Sequence, residues 1–146
     1  MKGLWNLRNK RFCVYIKTYL DFLILTKEER EVIMDFIESI KQFSERVSML
    51  KDTISTEEAT KMSLVVPLFQ LLGYDVFNPS EFCPEYIADV GIKKGEKVDY
   101  AILENGQPTI LIECKSCSEQ LDKHSSQLFR YFGTSPAKFG ILTNGI

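Results

Sequence analysis

Two neighbouring apolar segments of this chain carry charged side chains where a folded protein normally buries apolar ones. They cover residues 97–102 and 110–115, and each is short and rich in β-branched and aromatic residues. Both are therefore predicted to be buried β-strands. Because a charge is rarely buried unless it is paired or binds a metal, the charged residues of these strands are candidate functional residues. They are Asp99, Glu113 and Lys115.

The connection between the two strands decides whether these charges meet. Glu113 and Lys115 share a face of their strand, because side chains alternate along a strand. Asn105-Gly106 is a typical two-residue hairpin turn, and a regular hairpin around it would place Asp99 opposite Ile112. A three-residue loop or a β-bulge would instead bring Asp99 and Glu113 to one face. We therefore predict one of these two irregularities.

Helices are predicted on both sides of these strands. Apolar residues at three- and four-residue spacing predict a helix over 35–50. A second helix begins after Ser55 or Thr56, is kinked at Pro67 and ends at Gly73. Both faces of the central strands are apolar, which is typical of a sheet covered by helices.

The remaining pattern predicts further strands and one more helix. The helix is followed by a strand, so this last strand should run parallel to a neighbour. We expect an α/β fold with a central mixed sheet of four to five strands flanked by helices. The predicted elements are a short strand at 74–77, a strand or irregular segment at 81–89, strands at 97–103 and 108–115, a helix at 118–133 and a strand at 138–143.

The order of these residues resembles the PD-(D/E)XK nuclease superfamily. Asp99, a spacer of thirteen residues and Glu113-x-Lys115 are similar to its signature. The resemblance is closest to the N-terminal nuclease domain of type I restriction enzyme R subunits and their stand-alone relatives. It runs from about residue 53 to the last residue, and it implies a restriction-endonuclease-like core with extra N-terminal helices. The segment 71–76 and a Gln-x-x-x-Tyr element of the RecB-like branch, Gln127 and Tyr131, also fit, whereas Val98 stands where many members have Pro.

The resemblance implies a magnesium site, in which Mn²⁺ could substitute. Its ligands would be Asp99, Glu113, the backbone carbonyl of Cys114, and Glu57, which we favour over Glu58. Lys115 would orient or help deprotonate the attacking water and stabilise the transition state. An alternative interpretation of Glu57 and Glu58 is that they only complement the dipole of a helix N-terminus.

By the same resemblance, Gln127 and Tyr131 would line the site and contact the phosphate backbone or position Lys115. Without it, Gln127 is a surface amide, Tyr131 a half-buried core residue, and the basic residues belong to solvated faces. The net charge of −2 gives no indication of a polyanionic partner, so DNA binding would depend on a local basic surface. Two such surfaces are candidates, one with Lys93, Lys94 and Lys97 and one with Lys123, His124 and Arg130. The residues predicted to contact DNA are therefore Gln127, Tyr131, Lys97 and Arg130.

The function implied is magnesium-dependent hydrolysis of DNA in a restriction or defence system. We expect a cytoplasmic protein whose partners are DNA, restriction subunits or a second copy of itself. No ATP site is expected, because residues 91–97 lack the Gly-Lys-Ser/Thr ending of a phosphate loop. Two alternatives stay open. One is a catalytically silent nucleic-acid-binding or protein-interaction module of the same fold, and the other is a purely structural buried ion network.

The four cysteines do not predict a disulfide framework in a chain of 146 residues. A zinc site made by Cys83, Cys114, Cys117 and His124 is conceivable. The interpretation that we favour is that Cys114 packs in the core as a small apolar group.

The first 33 residues differ from the rest, being basic at first and then apolar. Lys17 and Asp21 interrupt the apolar run, so neither a signal peptide nor a membrane span is predicted. Met34 is a second candidate start. We therefore divide the chain into an optional helical extension, 1–33, and a nuclease domain, 34–146. This domain stops as its last strand ends, which we interpret as a truncated C-terminus.

Overall fold

A central sheet of four strands organises the fold. The computed structural model describes residues 25–87, 97–124, 128, 132–133 and 135–146. The strands lie in the order β1-β2-β3-β4, with β1 to β3 antiparallel and β4 parallel to β3. The predicted α/β class, the mixed sheet and the parallel last strand are confirmed. The strands are β1 (Phe82–Ile87), β2 (Lys97–Glu104), β3 (Gln107–Cys114) and β4 (Phe139–Thr143).

The predicted irregularity in the β2–β3 hairpin is a bulge. The turn itself has two residues, Asn105 and Gly106, with φ values of 53° and 76°, as tight hairpin turns require. The bulge follows in β3, where Pro108 pairs with Leu103 but Ile110 already pairs with Ile102. One residue, Thr109, is therefore extra on β3.

Hydrogen bonds hold Thr109 in the bulge. Its hydroxyl donates to the carbonyl of Ile102 at 3.1 Å, and its carbonyl accepts a bond from the backbone N–H of Lys138 at 2.9 Å. The extra residue is thus tied both to β2 and to the segment that leads into β4. The bulge shifts the pairing of all later β3 residues by one.

The short strand predicted at 74–77 is wrong. Tyr74 and Val76 pack against the core while Asp75 and Phe77 are exposed, so the alternation is present. The Asp75 carboxylate, however, accepts a hydrogen bond from the N–H of Phe77 at 3.2 Å. This local bond favours a turn over a strand ladder.

The first described helix, α1 (Lys27–Leu50), is longer than predicted. It begins after Thr26, whose hydroxyl accepts a bond from the N–H of Glu29 while the Glu29 carboxylate accepts one from the N–H of Thr26. This reciprocal capping box explains the earlier start. None of the α1 residues is buried.

The chain divides into two compact units between Lys41 and Gln42. The boundary predicted at 33/34 stays a prediction. Among the described residues, no helix has the length and apolar character needed to cross a membrane.

The second predicted helix is present but changes its winding. It comprises α2 (Glu57–Thr60), a π-helical turn (Lys61–Val65) and α3 (Val66–Leu71). Thr56 caps its start, accepting a bond from the N–H of Ala59 at 3.1 Å. The π-helical turn ends two residues before Pro67, and the kink predicted at Pro67 stays a prediction.

Both faces of the sheet carry apolar clusters, as the sequence predicted. On one face, residues of α3 and of the π-helical turn pack on β1 to β3. On the other, Leu128 and Ala137 cover β2 and β3. Residues 121–123 form a 3-10 helix, and Leu128 and Phe132 are helical; the rest of the helix predicted at 118–133 is only partly within the described residues. The buried members are Val65, Phe69, Phe82, Ile102, Ile112 and Cys114 on the first face, and Val98, Ala101, Leu111, Leu128 and Ala137 on the second.

Candidate active site

The bulge aligns the two carboxylates on β2 and β3. Tyr100 pairs with Ile112, so Asp99 and Glu113 each lie one residue beyond this pair and face each other across the strands. The Asp99 Oδ2 atom accepts a hydrogen bond from the backbone N–H of Cys114 at 2.7 Å. Asp99 is thus fixed to the residue that follows Glu113.

Glu113 and Lys115 form an ion pair at the end of β3. The Lys115 Nζ atom lies 2.9 Å from Glu113 Oε1, and the Glu113 side chain is only 5% exposed. The backbone N–H of Lys115 donates to the carbonyl of Thr143 at 2.8 Å, so pairing with β4 positions this lysine. The sequence predicted this pair correctly from the alternation of the strand.

A second lysine, Lys61, contacts the site from the helical side. Its Nζ atom lies 2.5 Å from Asp99 Oδ1, 2.8 Å from Glu58 Oε1 and 3.2 Å from Glu57 Oε1. Only 11% of its side chain is exposed. The ammonium group is therefore surrounded by three carboxylates.

Glu57 joins the two halves of the site. Its Oε1 atom contacts Lys61, and its Oε2 atom lies 3.5 Å from the Nζ of Lys115. Among the described residues Glu58 pairs only with Lys61, and 79% of its side chain is exposed. The result is a continuous series of ion pairs, Asp99–Lys61–Glu57–Lys115–Glu113.

Thr60 anchors the helical side of the site to the end of β3. It is fully buried, its hydroxyl donates to the carbonyl of Thr56 at 3.0 Å, and the same oxygen accepts a bond from the N–H of Cys117 at 3.1 Å. Since Cys117 follows Lys115 by two residues, this contact fixes Lys61 and Lys115 relative to each other.

A Thr60→Val variant is expected to lose about 1–3 kcal/mol of unfolding free energy. Valine keeps the shape but leaves the buried N–H of Cys117 without an acceptor. Urea unfolding measures this loss, with Thr53→Val as the matched control because the Thr53 hydroxyl bonds Leu50 in an exposed position. Equal unfolding midpoints for the two variants would contradict the anchoring role.

Burial and neighbouring charges shift the pKa values of the acidic and basic groups in this site. Burial raises the pKa of Glu113, its hydrogen bond with Lys115 opposes this, and the nearby Asp99 and Glu57 charges add to the rise. Burial alone would lower the pKa of Lys61 and of Lys115, but their carboxylate partners outweigh it, so both pKa values are raised. Both lysines therefore carry their charge at neutral pH.

The type of ligand atom suits a hard cation, because Asp99, Glu113 and Glu57 offer only carboxylate oxygens. The spacing is that of ion pairs, with Lys61 and Lys115 between the carboxylates. Within the part of the chain that the structure describes, no group of three acidic, histidine or cysteine side chains is arranged to hold a metal ion. The predicted ligand set, including the Cys114 carbonyl, stays a prediction.

The other predicted residues are less informative. Gln127, Arg130 and Tyr131 lie outside the described residues. Lys97 is paired with Glu85 at 2.8 Å on the surface, and its predicted contact with DNA stays a prediction.

The cysteines support core packing over the zinc interpretation. The Cys114 side chain is buried in the core, and burial raises its pKa to about 12. The Cys117 sulfur lies near the carbonyls of Lys51 and Ile54, and His124 pairs with Glu119.

Sequence reasoning missed Lys61 and Thr60. A signal for Lys61 was present, since Lys61 follows Glu57 by four residues and so shares its helix face. Lys61 also lies beside the apolar run that starts at Leu64, where a lysine must reach out of the core to find partners.

Comparison with known proteins agrees with the predicted resemblance. Residues 90–146 match the family model described as type I restriction enzyme R protein N terminus. This segment contains β2, β3 and β4, with Asp99, Glu113 and Lys115. No curated protein and no solved structure was found to match this chain. The match and the mixed sheet are consistent with a restriction-endonuclease-like core.

Proposed function

We propose that this chain is a nuclease module, similar to that of a type I restriction enzyme R protein, which hydrolyses phosphodiester bonds of DNA with the help of Mg²⁺. Mn²⁺ would substitute for Mg²⁺. The module would act in the cytoplasm as part of a restriction or defence system, with other restriction subunits or a second copy as partners.

The charge balance of the site carries this proposal. Among the described residues, four carboxylates, those of Glu57, Glu58, Asp99 and Glu113, face two ammonium groups. Fully ionised, these described side chains carry two excess negative charges, and burial raises the pKa of Glu113, which disfavours its ionised form. A divalent cation would balance this excess negative charge, and hard divalent cations prefer oxygen ligands such as carboxylates.

Asp99, Glu113 and Glu57 would hold the ion, with the carbonyl of Cys114. Glu57 is favoured over Glu58 because its two oxygens contact both lysines, whereas Glu58 points largely to solvent. When bound, the ion would supply Lewis-acid polarisation and a more acidic water at the scissile phosphate.

Lys115 would stabilise the charge that develops on the phosphate oxygens. The raised pKa keeps it protonated, which suits a hydrogen-bond donor to an oxyanion better than a general base. Its ion pair with Glu113 and its backbone bond to Thr143 hold the ammonium in place. Such preorganisation is what electrostatic catalysis requires.

Cleavage of supercoiled plasmid in Mg²⁺, compared with cleavage in EDTA, tests the proposal. Wild type should nick the plasmid only with Mg²⁺, and Asp99→Ala and Lys115→Ala should each lower the rate by about 10²–10³-fold. Asp35→Ala and Lys138→Ala are matched controls, because both residues are exposed and distant from the ion pairs in sequence. Equal cleavage by wild type and all four variants would refute the assignment.

A further inference from the structure

Lys61 holds oxygens that a metal ion would need. Its ammonium group can donate three hydrogen bonds, and it has three carboxylate partners, in Asp99, Glu57 and Glu58. Two of these, Asp99 and Glu57, belong to the ligand set of the proposed function. Nothing in the nuclease signature of Asp99, Glu113 and Lys115 assigns a role to this second lysine.

The position of Lys61 is built into the fold. The π-helical turn begins at this residue, and the preceding Thr60 is fully buried and bonded to the N–H of Cys117. The Lys61 side chain itself is 11% exposed. A mobile surface lysine would not have these constraints, so its contacts with the carboxylates are a structural feature of the site.

An ammonium group and a divalent ion compete for the same carboxylate oxygens. Mg²⁺ binds oxygen at about 2.0–2.1 Å with near-octahedral geometry, whereas the Lys61 Nζ atom lies 2.5 Å from Asp99 Oδ1. Two cations at this distance from one carboxylate also repel each other.

We propose that Lys61 is a tethered cation that occupies the metal-binding oxygens of Asp99 and Glu57 until a divalent ion displaces it. The inference rests on the proposed function and goes beyond it. Lys61 would lower the affinity for the ion and would prevent unbalanced repulsion among the carboxylates in the metal-free protein. Lys61 is a positioning residue, because it acts through the carboxylates that it contacts and not on the substrate.

Calorimetric titration of the full chain with Mn²⁺ alone tests this inference, without any measurement of cleavage. Lys61→Met should bind Mn²⁺ about tenfold more tightly than wild type, a difference of about 1.4 kcal/mol. Lys61→Arg keeps the charge and should bind no more tightly than wild type. Lys138→Met is the control for loss of an exposed lysine.

Urea unfolding in EDTA and in Mn²⁺ supplies a second measurement. Mn²⁺ should raise the unfolding midpoint of Lys61→Met more than that of wild type, because ligands stabilise according to their affinity. Lys61→Gln, which keeps an amide donor without the charge, should behave in the same way. A Lys61→Met protein that folds only in Mn²⁺ would also support the inference.

Two results would overturn it, and they differ in what they say about the proposed function. If Mn²⁺ binds wild type as tightly as Lys61→Met, or more tightly, Lys61 does not compete with the ion. The proposed metal site is then supported, but this inference is wrong. If neither protein binds Mn²⁺, the metal-dependent function fails and the competition fails with it.

Discussion

A Lys115→Met variant is expected to lose about 3 kcal/mol of unfolding free energy, the lower end of the range for breaking a buried ion pair from one side. The Glu113 carboxylate, 5% exposed, would keep its desolvation but lose its 2.9 Å partner. The same variant is expected to cleave plasmid about 10²–10³-fold more slowly, because the charge stabiliser is absent.

Adding Glu113→Gln to Lys115→Met separates these two effects. With both charges removed, most of the lost unfolding free energy should return, while cleavage should stay as low as in the single variant. Urea unfolding and plasmid nicking, measured on wild type, both single variants and the double variant, complete the cycle. A double variant that cleaves like wild type would show that the ion pair is only structural and would contradict the proposed function.

A Phe82→Ala variant is expected to lose about 3–5 kcal/mol of unfolding free energy, as is typical when a buried aromatic side chain is truncated. Phe82 is 2% exposed. Its ring lies 5.4 Å from that of Phe69, in α3, and 4.7 Å from that of Tyr100, in β2. Truncation would leave a cavity between the helix and the sheet.

Phe77→Ala is the matched control for this variant. The Phe77 side chain is 83% exposed, so its removal should change the unfolding free energy by no more than about 0.5 kcal/mol. Urea midpoints measured side by side give the difference. If the two variants unfolded at the same urea concentration, the packing of Phe82 described here would be wrong.

The central part of the fold could be predicted because its signals are local and strong. Apolar runs gave β2 and β3, and the parity of Asp99 and Glu113 required an irregularity that proved to be the bulge at Thr109. The segment 74–77 has the alternation of a strand but lacks a strand partner, since the Asp75 side chain favours a turn. The alternation of apolar residues predicts which side chains are buried, but it does not show that the backbone pairs with a neighbouring strand.

The site was predictable where chemistry and strand register coincide. The Glu113–Lys115 pair follows from alternation, whereas the contact of Lys61 with Asp99 depends on how the helix lies against the sheet. That placement comes from the buried Thr60 and its bond to the N–H of Cys117, 57 residues away in sequence. No short-range pattern encodes a contact of this kind.

The bulge has a consequence for how this hairpin tolerates insertions and deletions. Because the shift in pairing occurs at Thr109, behind the Asn105-Gly106 turn, residues added to the turn keep the two acidic residues aligned as long as the ladder from Ile102 and Ile110 onwards stays paired. Changes between Thr109 and Glu113 would rotate the acidic residue to the opposite side of the strand. The tip of the hairpin is therefore free to diverge, or to accept a foreign peptide, while the few residues behind it must keep their number.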